Sequence, residues 1–246
     1  MAKKTTSKKK TTPTKKTVKR TTGQKIFRFI WKTFLWFNII SVFFVLLYKF
    51  VPVPFTPLMA IRALEHKEAG KEMTCSHDWV DIEYISPNLQ KAVIASEDGK
   101  FLEHNGFDFD SMQKAFQKNQ NGKKIRGGST ISQQTAKNVF LWPGRSYIRK
   151  GFEAYFTVLI ELLWSKERIM EVYLNSIEMG DGVYGAQAAS KHWYHKEAKS
   201  LSKYEAAGIA VILPNPRKYK PVNSGPYINR RKATIAKYIG YVKLEY

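Results

Sequence analysis

The sequence predicts a mainly α-helical domain behind one membrane-spanning helix, and three observations carry that reading. An apolar segment, 26–50, follows a purely basic tail. Beyond it, helix-start signatures recur: a Ser, Thr or Asp followed directly by Pro, or three residues later by Gln or Glu. Between these starts, aromatic and aliphatic residues fall at helical spacing, and strand-like alternation is rare.

Residues 1–25 hold ten of the 41 Lys and Arg residues and no acid, with almost nothing apolar, so they are expected to be a disordered cytoplasmic tail. In the expected transmembrane helix, 26–50, the uncharged run from Thr33 to Tyr48 is flanked by Arg28, Lys32 and Lys49, whose long side chains can reach headgroups. A helix of that length covers roughly 37 Å, enough to cross a hydrocarbon core. The basic flank predicts a single pass with a cytoplasmic N-terminus and the remainder on the outer side. Apolar residues occupy every face, which excludes an amphipathic surface helix, and the basic tail abutting the segment favours a span over a buried core helix. A cleaved signal peptide would be followed by small residues, whereas VPVPFTP follows.

Residues 51–74 read as a connector opened by that Pro-rich stretch. Ser86 and Pro87 offer a cap and first turn for NLQKAVIAS. Asp110 with Gln113 is capping-box-like before SMQKAFQKNQ, and Thr130 with Gln133 repeats the pattern before ISQQTAKNVF. The segment 147–178 reads as two helices parted near Trp164 and Ser165, with Ser165 capping the second. Ser202 with Glu205 opens KYEAAGIAVIL, which Pro214 and Pro216 close, and 223–246 reads as a C-terminal helical extension on the domain surface.

The net charge is +21, and a basic surplus of 11 remains over residues 26–246. That balance fits a polyanionic partner: nucleic acid, anionic headgroups or a phosphorylated substrate. A basic tail would suit nucleic acid in a soluble protein, but the span points to a membrane and no nucleic-acid partner. The lone Cys75 excludes an internal disulfide and a Cys-based zinc site.

Three constellations carry chemistry. In SEDGKFLEHNGFDFD, Glu97 and Asp98 end a helical run, and His104, Gly106 and Asp108 follow in a loop. Adjacent carboxylates at such a transition suit general-base work, although a solvated acidic turn would look the same. A metal site of Glu97, His104 and Asp108 lacks a recognised ligand spacing. In RGGSTISQQTAKN, two glycines and Ser129 feed a helix N-terminus, which attracts phosphate, and Thr130, Gln134 and Lys137 share one face. A plain turn is the simpler reading, and the Walker pattern is absent. In SYIRKGFEAYF, Arg149 and Glu153 stand four apart, an ordinary surface pair unless they line a cleft. Two acids with several cations are the equipment for moving a sugar off a diphosphate.

These motifs, in this order, resemble the peptidoglycan glycosyltransferases of family 51, which occur as monofunctional biosynthetic transglycosylases and as the polymerising module of class A penicillin-binding proteins. The E-D-x-x-F-x-x-H-x-G-x-D pattern is Glu97 to Asp108, and G-G-S-T-I-x-Q-Q-x-x-K-N is Gly127 to Asn138. R-K-x-x-E is Arg149, Lys150 and Glu153, and K-x-x-I-x-E-x-Y-L-N is Lys166 to Asn175. The resemblance implies a lysozyme-like glycosyltransferase domain at 75–222, anchored in the bacterial cytoplasmic (inner) membrane and facing the periplasmic side. It implies polymerisation of lipid II into β-1,4-linked glycan by inverting transfer from an undecaprenyl-diphosphate-linked chain to the GlcNAc 4-hydroxyl.

By the same resemblance Glu97 is the base on the acceptor hydroxyl, and Glu153 is a second catalytic carboxylate near the diphosphate. Lys137 and Arg149 bind donor phosphates, while Thr130, Gln134, Ser129, Asp98 and His104 line the substrate cleft. The segment Lys166 to Asn175 supports the fold. A divalent cation, magnesium or manganese, is expected as a candidate at the diphosphate. Partners implied are lipid II, the growing lipid-linked glycan, the membrane, penicillin-binding transpeptidases and divisome or elongasome proteins. Where many relatives have Tyr-Phe-Gly, this chain has Trp193-Tyr194-His195, which leaves that loop's conformation open. Phe101, Phe107 and Phe109 can serve either the core or a lipid. Two other functions stay open: a lytic transglycosylase-like glycan-cleaving enzyme, and a non-catalytic membrane-anchored scaffold for anionic glycan.

Overall fold

The computed structural model describes residues 21–70, 72–120, 127–144 and 146–246. Most of the expected basic tail lies outside them. The chain divides into two units, one ending at Ser41 and the other running from Val42 to Tyr246. Helix α1, Thr22–Phe50, begins four residues before the expected start. It is long and apolar enough to cross a membrane, and in the first unit large side chains such as Phe27, Phe29, Trp31 and Trp36 are exposed around it.

The second unit is built from helices with one small sheet. Its first residues are the last turns of α1, whose C-terminal carbonyls need donors. The Trp164 indole donates to Val45 O at 2.8 Å, and the Arg168 guanidinium donates to Tyr48 O and Val51 O. Helix α2, Pro57–Glu68, lies inside the segment expected to be a connector. Its start was available in the sequence, because Thr56 caps it, accepting from the Met59 N–H, and Pro57 fills the first turn. Arg62 bonds Glu65, and buried His66 meets Asp181 at 2.9 Å, holding α2 against a later turn.

Helix α3, Pro87–Glu97, takes its expected cap from Ser86, whose hydroxyl accepts from the Asn88 N–H. Helix α4, Phe109–Gln120, is capped by Asp108 and not Asp110: the Asp108 carboxylate accepts from the Ser111 N–H at 3.0 Å, and Asp110 instead meets Lys100 across the first turn. Helix α5, Ile131–Phe140, carries the expected capping box of Thr130 and Gln133. Helices α6, Tyr147–Leu163, and α7, Lys166–Ser176, part at Trp164, with Ser165 capping the second as expected. Strands β1, Ser76–His77, β2, Glu178–Gly180, and β3, Val183–Tyr184, form a small sheet in the order β1-β3-β2, with β1 parallel to β3 and β2 antiparallel to it. Helix α8, Ala186–Tyr194, ends on His195 in the left-handed region at φ 56°. That explains why glycine serves at this position in the family pattern.

Helix α9, Lys203–Ile212, has the Ser202 and Glu205 capping box and a wholly buried Ala-rich body. Helix α10, Pro226–Tyr238, packs against both α9 and α3. Ile228, Lys232 and Ile235 are buried, so this segment, expected as a helical extension on the domain surface, packs on the domain by one face. The Lys232 ammonium is satisfied inside, donating to Pro221 O at 3.1 Å and lying 4.1 Å from the Tyr204 ring centre. Core side chains from α3, α5, α7 and α9, among them Leu89, Ile131, Leu174 and Ile209, are fully buried.

Gly185 joins β3 to α8 at φ +82°, and a Cβ there would stand 2.8 Å from Asn175 O. Gly185→Ala is therefore expected to destabilise the protein by at least about 2 kcal/mol, lowering Tm by roughly 4–8 °C. Gly151 sits within α6 with open space around it, so Gly151→Ala should raise stability by about 0.5–1 kcal/mol. Thermal unfolding of both variants in detergent checks the pair, and equal effects would contradict this account.

Candidate active site

Glu97 is the last residue of α3, and Asp98 follows as its C-cap with φ −157°. The turn sends the two side chains to different duties. Asp98 is buried; its Oδ2 accepts the Ile131 N–H at 2.9 Å, and both its oxygens lie 3.0 Å from His104 Nε2. The Gly106 N–H donates to His104 Nδ1 at 3.1 Å, which leaves Nε2 to donate to Asp98. Gly106 itself stands at φ +87°, where a Cβ would press on Thr157 and Glu161. Its carbonyl accepts from the Thr130 hydroxyl at 2.7 Å.

Asp98, His104 and Thr130 were expected to line the substrate cleft. Their polar atoms are instead engaged with one another and with backbone, and Asp98 and Thr130 are buried. Together they fasten the start of α5 to the loop after α3. An acceptor carboxylate on the free N–H groups at a helix start is also the favourable electrostatic arrangement.

That fastening brings α5 beside Glu97. Gln134 Nε2 donates to Glu97 Oε2 at 3.2 Å, and the buried Tyr173 hydroxyl donates to Gln134 Oε1 at 3.2 Å. Tyr173 thus fixes which end of the Gln134 amide faces the carboxylate. Burial raises the Glu97 pKa above its ordinary 4.5, against the Gln134 hydrogen bond and the positive charges of Arg231 and Lys137, which lower it. Arg231 comes from α10, far along the chain. Only the packing of α10 on α3 brings its charge to Glu97.

Beyond Lys137 lies a second group of charges, on α6. Glu153 is buried, with Oε2 accepting from Arg149 Nη1 at 2.7 Å and Oε1 bonded to Lys150. Lys150 also donates to the Ser129 hydroxyl at 3.2 Å, tying the glycine-rich stretch to α6. Burial lowers the Lys137 pKa, while the Glu153 charge raises it and Arg149 and Lys150 lower it further. Arg149 and Lys150 thus bond the Glu153 carboxylate directly, and Lys137 lies near enough to feel the charges of both Glu153 and Glu97. Arg149 Nε is buried and has no acceptor among the described residues.

The donor set does not fit a resident divalent cation. Both Glu153 oxygens are taken by cationic partners, His104 and Asp98 are bonded to each other, and no three His, Cys, Asp or Glu side chains cluster among the described residues. The arrangement suits an anion held by side-chain cations near a desolvated carboxylate.

Of the expected residues, Glu97, Gln134, Lys137, Arg149, Glu153 and Ser129 lie near one another. The segment Lys166 to Asn175, expected to support the fold, ties its neighbours together. Lys166 donates to His104 O at 2.5 Å, and the Asn175 amide pairs with both backbone groups of Val80. Phe101 belongs to the core, beneath the Lys166 ammonium, whereas Phe109 is exposed and stacks on Phe107. Sequence reasoning did not single out Arg231 or the role of Tyr173. The Y-L-N motif was the one available signal for Tyr173, and nothing local marked Arg231.

A family model described as Transglycosylase matches residues 65–239. The match begins inside the segment expected to be a connector and runs to the end of α10. The chain is 55% identical over 199 residues to a biosynthetic peptidoglycan transglycosylase of Caulobacter vibrioides, covering 81% of this chain and 84% of the relative. It is 52% identical to the protein of that name from Bdellovibrio bacteriovorus, over 88% and 86% of the two chains. For the one from Bacteroides thetaiotaomicron the identity is 51%, over 89% and 88%.

Glu97 gives a pH signature. A carboxyl whose folded pKa lies above its unfolded value binds protons more readily in the folded state, so stability is full below pH 4.5 and falls as pH rises through the raised folded value. Glu97→Gln keeps the shape and removes the charge. It should match the wild-type Tm near pH 4 and exceed it increasingly toward pH 7, which thermal unfolding across that range will read.

Proposed function

Because the chain belongs to the transglycosylase family and builds peptidoglycan glycan strands, we propose that the Glu97 cleft joins lipid-linked glycan to lipid II with side-chain cations holding the diphosphate. The observation that carries this reading is the surplus of charge around Glu153: Arg149, Lys150 and Lys137 against one carboxylate, with a buried Arg149 N–H lacking a protein acceptor. Cleaving an uncharged glycosidic bond has no use for such a surplus. Transfer of a sugar from a diphosphate does.

In the proposed step the Glu97 carboxylate takes the proton of the acceptor GlcNAc 4-hydroxyl. The freed oxygen bonds to the donor MurNAc anomeric carbon as its bond to phosphate breaks, inverting that centre. The undecaprenyl diphosphate departs as an anion between Arg149, Lys150 and Lys137. A raised pKa suits Glu97 as a base, because proton transfer is most effective when the catalytic pKa lies near the working pH. Gln134 holds the carboxylate in position, and Tyr173 holds Gln134. Glu153 does not touch the reacting atoms in this reading; it sets the geometry of Arg149 and Lys150. No step is assigned to a metal.

Helix α1 serves as the membrane anchor. The basic residues at its start favour a cytoplasmic N-terminus and a catalytic unit on the outer, periplasmic side, where lipid II and the growing glycan would be met. Exposed Phe109 and Phe116 on α4 and Ile148 and Leu162 on α6 suit contact with lipid. Penicillin-binding transpeptidases, which cross-link such strands, are the partners this reading suggests.

Glu97→Gln should lower lipid II polymerisation by about 10²–10⁴-fold while leaving lipid II binding nearly unchanged. Lys137→Ala should cost about 10²–10³-fold through loss of leaving-group stabilisation. Detergent-solubilised protein incubated with labelled lipid II, and separately with purified sacculi, checks both. Release of soluble muropeptides from sacculi without polymer formation would overturn the reading.

A further inference from the structure

The segment from Pro214 to the C-terminus carries eight basic residues and one acid, Glu245, and the mechanism uses only the Arg231 charge from it. The buried line of α10 is Ile228, Lys232, Ile235 and then Ile239. On its flank, Tyr227, Arg231, Thr234, Tyr238 and Tyr241 follow at steps of four, three, four and three residues, so they form one stripe along the helix and the short 3-10 turn, Ile239–Tyr241, that continues it. Tyr227, Tyr238 and Tyr241 are exposed, at 41%, 53% and 73%. Arg231 Nη1 lies 3.4 Å from the Tyr227 hydroxyl, and the Tyr238 and Tyr241 ring centres are 6.2 Å apart. Arg230 and Lys237, also exposed, border the stripe on its outer side.

Such a surface combines flat aromatic faces, good partners for the C–H faces of pyranose rings, with cations that can meet carboxylates. From Tyr227 to Tyr241 it runs about 21 Å, the length of several linked sugars. It is also continuous with the catalytic cleft, because Arg231 within the stripe lies close enough to act on the Glu97 carboxylate and α10 packs directly on α3. We infer that the Tyr227–Tyr241 flank of α10 is a track for the glycan strand: the tyrosines stack its sugars, and Arg230 and Lys237 pair with the carboxylates of its peptide stems. This rests on the proposed polymerase reading and deepens it by giving the product a binding surface.

A track outside the reacting centre affects how long a strand remains attached, not the first bond formed. Tyr238→Ala/Tyr241→Ala and Arg230→Glu/Lys237→Glu should each shorten the glycan made from lipid II while leaving the initial coupling rate within about twofold. Binding of soluble, lipid-free, uncross-linked peptidoglycan strands to the full-length protein should weaken about tenfold in the tyrosine variant. Neutral chitin oligosaccharides should bind wild type less well than the stem-bearing strands and should not distinguish the charge variant from wild type. Unchanged strand length together with unchanged strand binding overturns the proposal. So does tighter binding of single-stranded DNA, or of anionic phospholipid vesicles, through the same residues. If wild type made no polymer at all, the polymerase reading would fail, and strand binding would still report on the track.

Discussion

The Asp98 carboxylate accepts the first N–H of α5 and pairs with His104, whose other nitrogen accepts from the backbone of Gly106. Gly106 in turn accepts the hydroxyl of Thr130, the cap of α5. These bonds close a small ring of loop, cap and helix end, and the ring sets where α5 sits beside the end of α3. Without it, Gln134 has no reason to meet Glu97. A buried acceptor left unsatisfied costs about 1–3 kcal/mol, so each member of the ring also keeps the others in place.

The two carboxylates at the end of α3 show how one turn of backbone separates structure from chemistry. Asp98 is surrounded by donors and bound by them, whereas Glu97 has one side-chain donor and is desolvated. Desolvation opposes its charge, and nearby Arg231 and Lys137 oppose that effect. A base held this way keeps an affinity for protons that a fully solvated or fully paired carboxylate lacks.

Much of this was legible locally. The caps at Ser86, Thr130, Ser165 and Ser202 stand where short-range patterns place them, because a cap and its helix are fixed within four residues. Glu97, Gln134, Lys137, Arg149 and Glu153, each within a short, patterned segment, lie near one another in the fold. Other features were less legible. Proline in VPVPFTP suggested a stiff connector and hid the α2 start at Thr56. Asp110 looked like a cap, although the cap is two residues earlier, at Asp108. The bond from Thr130 to Gly106 spans 24 positions and cannot be read from its neighbours, whereas His104 bonds Asp98 and Gly106 only six and two positions away, through a loop turn that no helix pattern specifies. Arg231, like Thr130, has a distant partner: its relation to Glu97 exists only after α10 folds over α3.

The cation cluster around Glu153 is assembled before any substrate arrives, its geometry set by Glu153 and Ser129. Preorganisation of that kind does not distinguish a forming anion from one already released. In the proposed reaction, charges that ease departure of the lipid diphosphate would also retain it afterwards, so the spent carrier would compete with the next donor. Added undecaprenyl diphosphate should then slow turnover, and the pace of strand growth becomes a question of how quickly the site is vacated.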